Sequence, residues 1–206
     1  HGYFGVNLFF IISGFVIFMT LERTEKPMDF VVSRFSRLFP SYWVAIVLTF
    51  AITHWLGLPG KLVEIGPALA NFMMIHSFFG VPHVDGVYWT LEVEMLFYIG
   101  MFILYRLRWL GSIHWVLAGL LALRLLYAVM AKFFDIDLPW IAFRFLILQY
   151  IPWFAMGICV YQLTLQQHKK AQKLPFLTAC AAVLTLVVAE SALIGGLAVL
   201  FGLLVY

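Results

Sequence analysis

The chain has 206 residues, a formal net charge of +3, 64% hydrophobic residues and only 11% charged ones, with a mean hydropathy of +1.00. That little charge cannot wet the surface of a soluble domain of this size, so composition excludes a soluble enzyme. The basic residues are scattered with no basic stripe, so nucleic acid is excluded as a partner.

Lipid must therefore solvate most of the chain. A helix needs about 20 apolar residues to cross the hydrocarbon core. In chain order, candidate spans cover 2–21, 41–57, 88–106, 111–131, 139–163, 175–190 and 192–206. The expected fold class is all-α, a polytopic transmembrane helix bundle of about seven spans. The stretch 66–80 is apolar but short, and reads as a span, a re-entrant segment or an interfacial helix.

Positive charge arbitrates. Loop 22–40 carries Arg23, Lys26, Arg34 and Arg37, loop 106–110 carries Arg106 and Arg108, and loop 164–174 carries Lys169, Lys170 and Lys173. The intervening loops carry only Lys61 and Lys132. All the rich loops fall on one side if 66–80 does not span. That segment is therefore placed in a long external loop, 58–87, lying on or dipping into the membrane, and the basic loops are cytoplasmic.

Both ends of the chain read as cut. It enters a membrane segment just after His1 and closes inside another, "GLAVLFGLLVY". The expectation is that residues 1–206 are part of a single integral-membrane domain of a longer protein. Cys159 and Cys180 lie in apolar segments without metal-ligand spacing and read as small buried hydrophobes. No metal is expected.

The first motif is "GYFGVNLFFIISGF", from Gly2 to Phe15. Gly5, Ser13 and Gly14 are small residues that let helices approach closely in lipid, and Asn7 is a lone polar group among them. The second is "SRFSR", from Ser33 to Arg37. On a helix, Arg34 and Arg37 share a face. Two guanidiniums there can grip a phosphate or pyrophosphate, or can simply anchor the helix to lipid head groups.

The third is "YWTLEVEMLFY", from Tyr88 to Tyr98. A charge at the bilayer centre costs about 2.5 kcal/mol or more, so Glu92 and Glu94 need a reason to be there. Two residues apart on a helix, they point in opposite directions. Glu94 and Tyr98 line one face together. Glu92 lies nearer the helix end, within reach of water. Glu94 is either functional or a structural partner of a cation such as Arg124 or Arg144. Arg124, well inside its span, also needs a partner. His54, His76 and His83 lie at or beyond the external ends, and none has a partner at a readable spacing. His114 and His168 lie near the cytoplasmic side.

"GVNLFFIISGF", "RFSRLFPSYW" and "YWTLEVEMLFY", in that order, together resemble the acyltransferase 3 family of membrane O-acyltransferases, which modify bacterial surface polysaccharides and related glycans. "FLILQYIPWFAMGICVY" is similar to a later helix of that family. The resemblance implies that Arg34 and Arg37 bind an acyl-CoA donor from the cytoplasm and that Glu94 is the functional carboxylate. It leaves Glu92 as the interfacial one. Trp89, Tyr98 and Asn7 become candidates for lining the site. It further implies a hydroxyl of a glycan or lipid-linked sugar as acceptor, acetyl as the expected acyl group, no bound cofactor, membrane lipid as surroundings, and the bacterial inner membrane as location.

Two departures stand out. Asn7 occupies the place of the family's usual Asp, which removes a charge. The family's catalytic His lies in a preceding helix, and His1 does not match its position. This chain alone is therefore expected to be inactive. A transporter using Glu94, Arg124 and Arg144 is the alternative, although the paired repeats typical of transporters are not seen. A non-catalytic scaffold is a third reading.

Overall fold

A computed structural model describes residues 3–58, 62–136, 139–165 and 173–205. Among them there is no strand. The helices are α1 (Tyr3–Arg23), α2 (Pro27–Trp55), α3 (Ile65–Asn71), α4 (Trp89–Arg106), α5 (Ile113–Phe133), α6 (Trp140–Phe145), α7 (Ile151–Leu165), α8 (Lys173–Ala189) and α9 (Ala192–Val205). Four helical stretches are long and apolar enough to cross a membrane: Phe4–Arg23, Pro27–Trp55, Gly86–Arg106 and Leu110–Phe133. Three shorter apolar helices cover Ile151–Thr164, Lys173–Ala189 and Leu193–Val205.

Two expectations change. Residues 27–40 are not loop but the first half of α2, which carries Pro40 inside it. Proline is tolerated in an apolar helix when neighbouring groups satisfy the freed backbone. Pro27, at the helix start, has the fixed φ that favours initiation. The proposed span 139–163 is instead broken between α6 and α7. Pro152 sits in the first turn of α7 and cannot donate to the carbonyl four residues back. The chain turns just before it, with Ile147 at a φ of 46°, a conformation that costs a β-branched residue strain. The stretch 66–80, placed by the sequence in a loop, is not one of the stretches long enough to cross and forms no single helix. It comprises α3, a link through Met74, and a 3-10 turn over His76–Phe79 closed by Gly80 at a φ of 72°.

The chain divides into two compact units, residues 25–98 and residues 1–24 with 99–206. In the first, α2 holds the loop that follows it. The Tyr42 hydroxyl donates to the Asn71 carbonyl at 2.9 Å, and Trp43 Nε1 to the Phe72 carbonyl at 3.2 Å. Thr49 bonds the Tyr88 hydroxyl at 3.0 Å, and the Tyr42 and Tyr88 rings meet edge to face. Asn71 is fully buried and ties the loop to itself. Its Nδ2 donates to the Pro67 and Pro82 carbonyls, and its Oδ1 accepts from Val84 N–H. The flank of α2 at Val44, Val47, Leu48 and Ile52 is exposed, as expected of a surface solvated by lipid.

In the second unit α1 packs on α7, α7 and α5 on α8, and α8 on α9. Gly14 and Gly157 make the α1–α7 crossing close. A Cβ at Gly14 would lie 2.3 Å from the Phe154 carbonyl oxygen, and one at Gly157 would lie 1.9 Å from that of Ile11. The small-residue reading of the first motif holds at Gly14. At Gly5 an added Cβ meets nothing within 4 Å. Arg124 finds partners here: Glu190 at 4.0 Å, and the Phe143 ring 5.1 Å from its guanidinium. Cys159 is buried as expected, whereas Cys180 is exposed on α8. That corrects its reading as a buried hydrophobe. The outward face of an apolar helix needs only to be apolar, and a thiol suffices.

Candidate functional site

Helix geometry brings two of the three motifs together inside the unit of residues 25–98. Arg34 and Arg37, one turn apart on α2, both act electrostatically on Tyr98 of α4. Arg34 is buried, with its guanidinium 5.7 Å from the centre of the Phe30 ring and 5.8 Å from that of Tyr98. Phe30 and Tyr98 meet edge to face at 6.4 Å. A guanidinium spread over aromatic faces keeps its charge at a modest desolvation cost. Arg37 is exposed. One arginine is thus fixed among rings and the other is open to an incoming anion.

Glu94 is 4% exposed, and the Tyr98 hydroxyl donates to its Oε1. The i to i+4 spacing on α4 accounts for that bond. Arg34, Tyr98 and Glu94 therefore form a chain of cation, ring and carboxylate. Arg124, one of the cations considered as a partner for Glu94, is instead set against Glu190.

Glu92 does not behave as an interfacial residue. It is 3% exposed, and its Oε2 accepts a hydrogen bond from Ser77 and lies 4.0 Å from His83 Nε2. The reason is tertiary: the loop before α4 folds back over the helix start and places Ser77 and His83 on the carboxylate. The histidines also have a partner that spacing hid, because His76 Nε2 and His83 Nδ1 are 2.9 Å apart. Ser77, His76, His83 and Glu92 are thus a polar cluster that the sequence did not reveal. The available signal was two histidines, His76 and His83, in one proline-containing loop beside an acidic motif. The remaining described histidines also have partners: His54 bonds the Phe50 carbonyl one turn back, and His114 on α5 meets Thr178 on α8. His1 and His168 lie outside the described residues, as do Lys61, Lys169 and Lys170.

The other candidates are placed elsewhere. Trp89 opens α4 and is half-buried. It lies about 13 Å along the helix axis from Tyr98 at about 1.5 Å per residue, so the Arg34 cluster does not include it. Asn7 is 2% exposed in α1, and its Nδ2 has no hydrogen-bond partner among the described residues. An amide donor left unpaired in an apolar interior costs about 1–3 kcal/mol. No group of three or more His, Cys, Asp or Glu among the described residues is placed to hold a metal.

A family model described as an acyltransferase domain matches residues 1–205. The exopolysaccharide production protein ExoZ of Rhizobium meliloti (strain 1021) is 33% identical over 109 residues, covering 46% of this chain and 31% of that protein. Nodulation protein 10 of Rhizobium leguminosarum bv. viciae is 31% identical over 125 residues, 51% of this chain and 34% of that protein. The peptidoglycan O-acetyltransferase OatA of Listeria monocytogenes serovar 1/2a (strain ATCC BAA-679 / EGD-e) is 30% identical over 149 residues, 62% of this chain and 24% of that protein. The chain thus spans about a third or less of the curated relatives it matches. No solved structure matches it.

Proposed function

We propose a function that starts from kinship: the chain belongs to the acyltransferase 3 family, and it forms part of a membrane O-acyltransferase. The reaction moves an acyl group, acetyl first among the candidates, from acyl-CoA on the cytoplasmic side to a hydroxyl of a carbohydrate or lipid-linked glycan. The names of ExoZ and OatA support a polysaccharide acceptor. In this reading the three shorter apolar helices complete a set of seven spans in the bacterial inner membrane.

The observation that carries the reading is the meeting of Arg34, Tyr98 and Glu94, with Arg37 one turn further along α2. Arg37 and Arg34 grip the phosphates of coenzyme A by charge-assisted hydrogen bonds. Buried Glu94, held by Tyr98, lies on the path of the acyl group and stabilises charge or holds a proton there. Acyl transfer joins the acceptor oxygen to the acyl carbon, breaks the thioester C–S bond and delivers the hydroxyl proton to the leaving thiol.

The test uses the full-length protein in membranes supplied with labelled acetyl-CoA. Label entering envelope polysaccharide in wild type, and falling sharply in Arg37→Ala, is the expected result. Wild type that is well expressed but labels no glycan from any acyl-CoA tried overturns the proposal.

A further inference from the structure

Within residues 25–98 a cavity of about 510 Å³ opens between the last turns of α2 and the loop before α4. Thr49, Thr53, Glu64, His83 and Asp85 supply its polar wall, with Pro67 and Pro82 among the apolar parts. Its size falls in the range of small-ligand sites, about 300–1,000 Å³. The acyltransferase reading has so far given this space no role. We infer that it is the pocket for the carbohydrate acceptor, an inference that rests on that reading.

Charge argues first. The described lining contains two carboxylates and no Lys or Arg. Carboxylates repel phosphate, so coenzyme A is turned away from this cavity. A neutral polyhydroxy molecule suits it, because its hydroxyls can donate to the carboxylates of Glu64 and Asp85 and to the hydroxyl oxygen of Thr53. The prolines and aliphatic side chains can take the C–H faces of a sugar ring.

Position argues second. Arg37 and Thr53 lie on the same helix, and at about 1.5 Å per residue they are about 24 Å apart along it. The cationic donor grip, in the first half of α2, is therefore well separated from the acidic cavity at its last turns. That separation approaches the roughly 30 Å of a hydrocarbon core. It is the placement required of an enzyme that takes its donor on one side and its acceptor on the other.

Preorganisation argues third. His83 reaches the cavity wall with its ring held from behind, by His76 at 2.9 Å and by buried Glu92 at 4.0 Å. Asn71 pins the strip between Pro67 and Val84 that carries the rest of the wall. A site built on fixed groups loses less entropy when it binds.

The test measures acyl transfer by the full-length protein in membranes, with donor and acceptor varied separately. The acceptor is the isolated oligosaccharide repeat of whichever polysaccharide wild type labels. Glu64→Gln alters an exposed wall residue, so folding is retained. Thr53→Leu fills the cavity. Each variant is expected to raise the acceptor KM about tenfold or more, Glu64→Gln through loss of a charged hydrogen bond and Thr53→Leu by occupying the space, with the donor KM within about twofold of wild type. An active wild type with acceptor KM unchanged in both variants overturns the pocket and leaves the acyltransferase reading standing. A rise in donor KM alone overturns the pocket by placing the donor there. A wild type that labels no glycan overturns both.

Discussion

The guanidinium of Arg34 lies 5.8 Å from the centre of the Tyr98 ring, and the same tyrosine donates its hydroxyl to Glu94. One residue thus touches a cation with its face and an anion with its edge. The aromatic quadrupole suits both contacts, since its face is negative and its polar tip can donate. A buried carboxylate and a buried guanidinium are coupled through a ring.

Glu94→Gln is expected to lower acyl transfer by about 10²- to 10⁴-fold, the usual worth of a group that handles a proton or a developing charge. Tyr98→Phe should cost about tenfold, because the carboxylate keeps its place but loses a donor. Steady-state transfer assays check both. A Glu94→Gln protein with full activity would reduce this carboxylate to a structural group.

Arg34 and Arg37 should separate by phenotype. Arg37 is exposed, so Arg37→Ala should fold normally and raise the donor KM about ten- to a hundredfold through the loss of a charge-assisted bond. Arg34→Lys keeps the charge but loses the planar group that stacks on Phe30 and Tyr98, so it should cost both stability and turnover. Donor titration together with thermal unfolding in detergent distinguishes the two.

Gly14→Ala should weaken the α1–α7 crossing by about 1–3 kcal/mol, since its Cβ would meet the Phe154 carbonyl and backbone cannot move aside as a side chain can. Gly5→Ala on the same helix meets open space and should be nearly neutral. Unfolding of the two variants side by side tests whether α1 packs through Gly14.

Asn71→Ala should leave Val84 N–H and two proline carbonyls without the partner they have now, at about 1–3 kcal/mol for each group that stays dry. Amide exchange over residues 72–84 should quicken while α1 and α7 stay protected. Uniform loosening of the whole chain would show that Asn71 supports more than this loop.

The pair Arg124 and Glu190 gives a test of coupling. Glu190→Gln leaves a half-buried guanidinium short of its anion and should destabilise by about 3 kcal/mol. Replacing both residues by Met should recover most of that, because two desolvation costs disappear together. A double-mutant cycle in detergent gives the interaction energy.

Much of this protein was legible before any coordinates. Charge sparsity forces an all-helical membrane chain, since lipid cannot satisfy open backbone groups. Helical periodicity alone pairs Glu94 with Tyr98 and puts Arg34 beside Arg37, because neighbours at i+3 and i+4 are a local matter. The three ordered motifs carried the family. Local rules also located most helices to within a few residues. They failed where a proline had to be judged: Pro40 runs inside α2, while Pro152 restarts a helix after a break. A single residue type permits either outcome, and neighbouring packing decides.

The rest belongs to tertiary structure. Glu92 looked like a residue within reach of water, yet Ser77 and His83, brought from a loop, bury it. His76 and His83 share no helical or strand register, so no spacing rule could pair them. Arg124 signalled that it needed an anion but not that the anion was Glu190, 66 positions on. Composition sets the solvent and periodicity sets the local faces, because both depend on near neighbours along the chain. Which distant faces meet depends on how loops close, and only the folded chain states that.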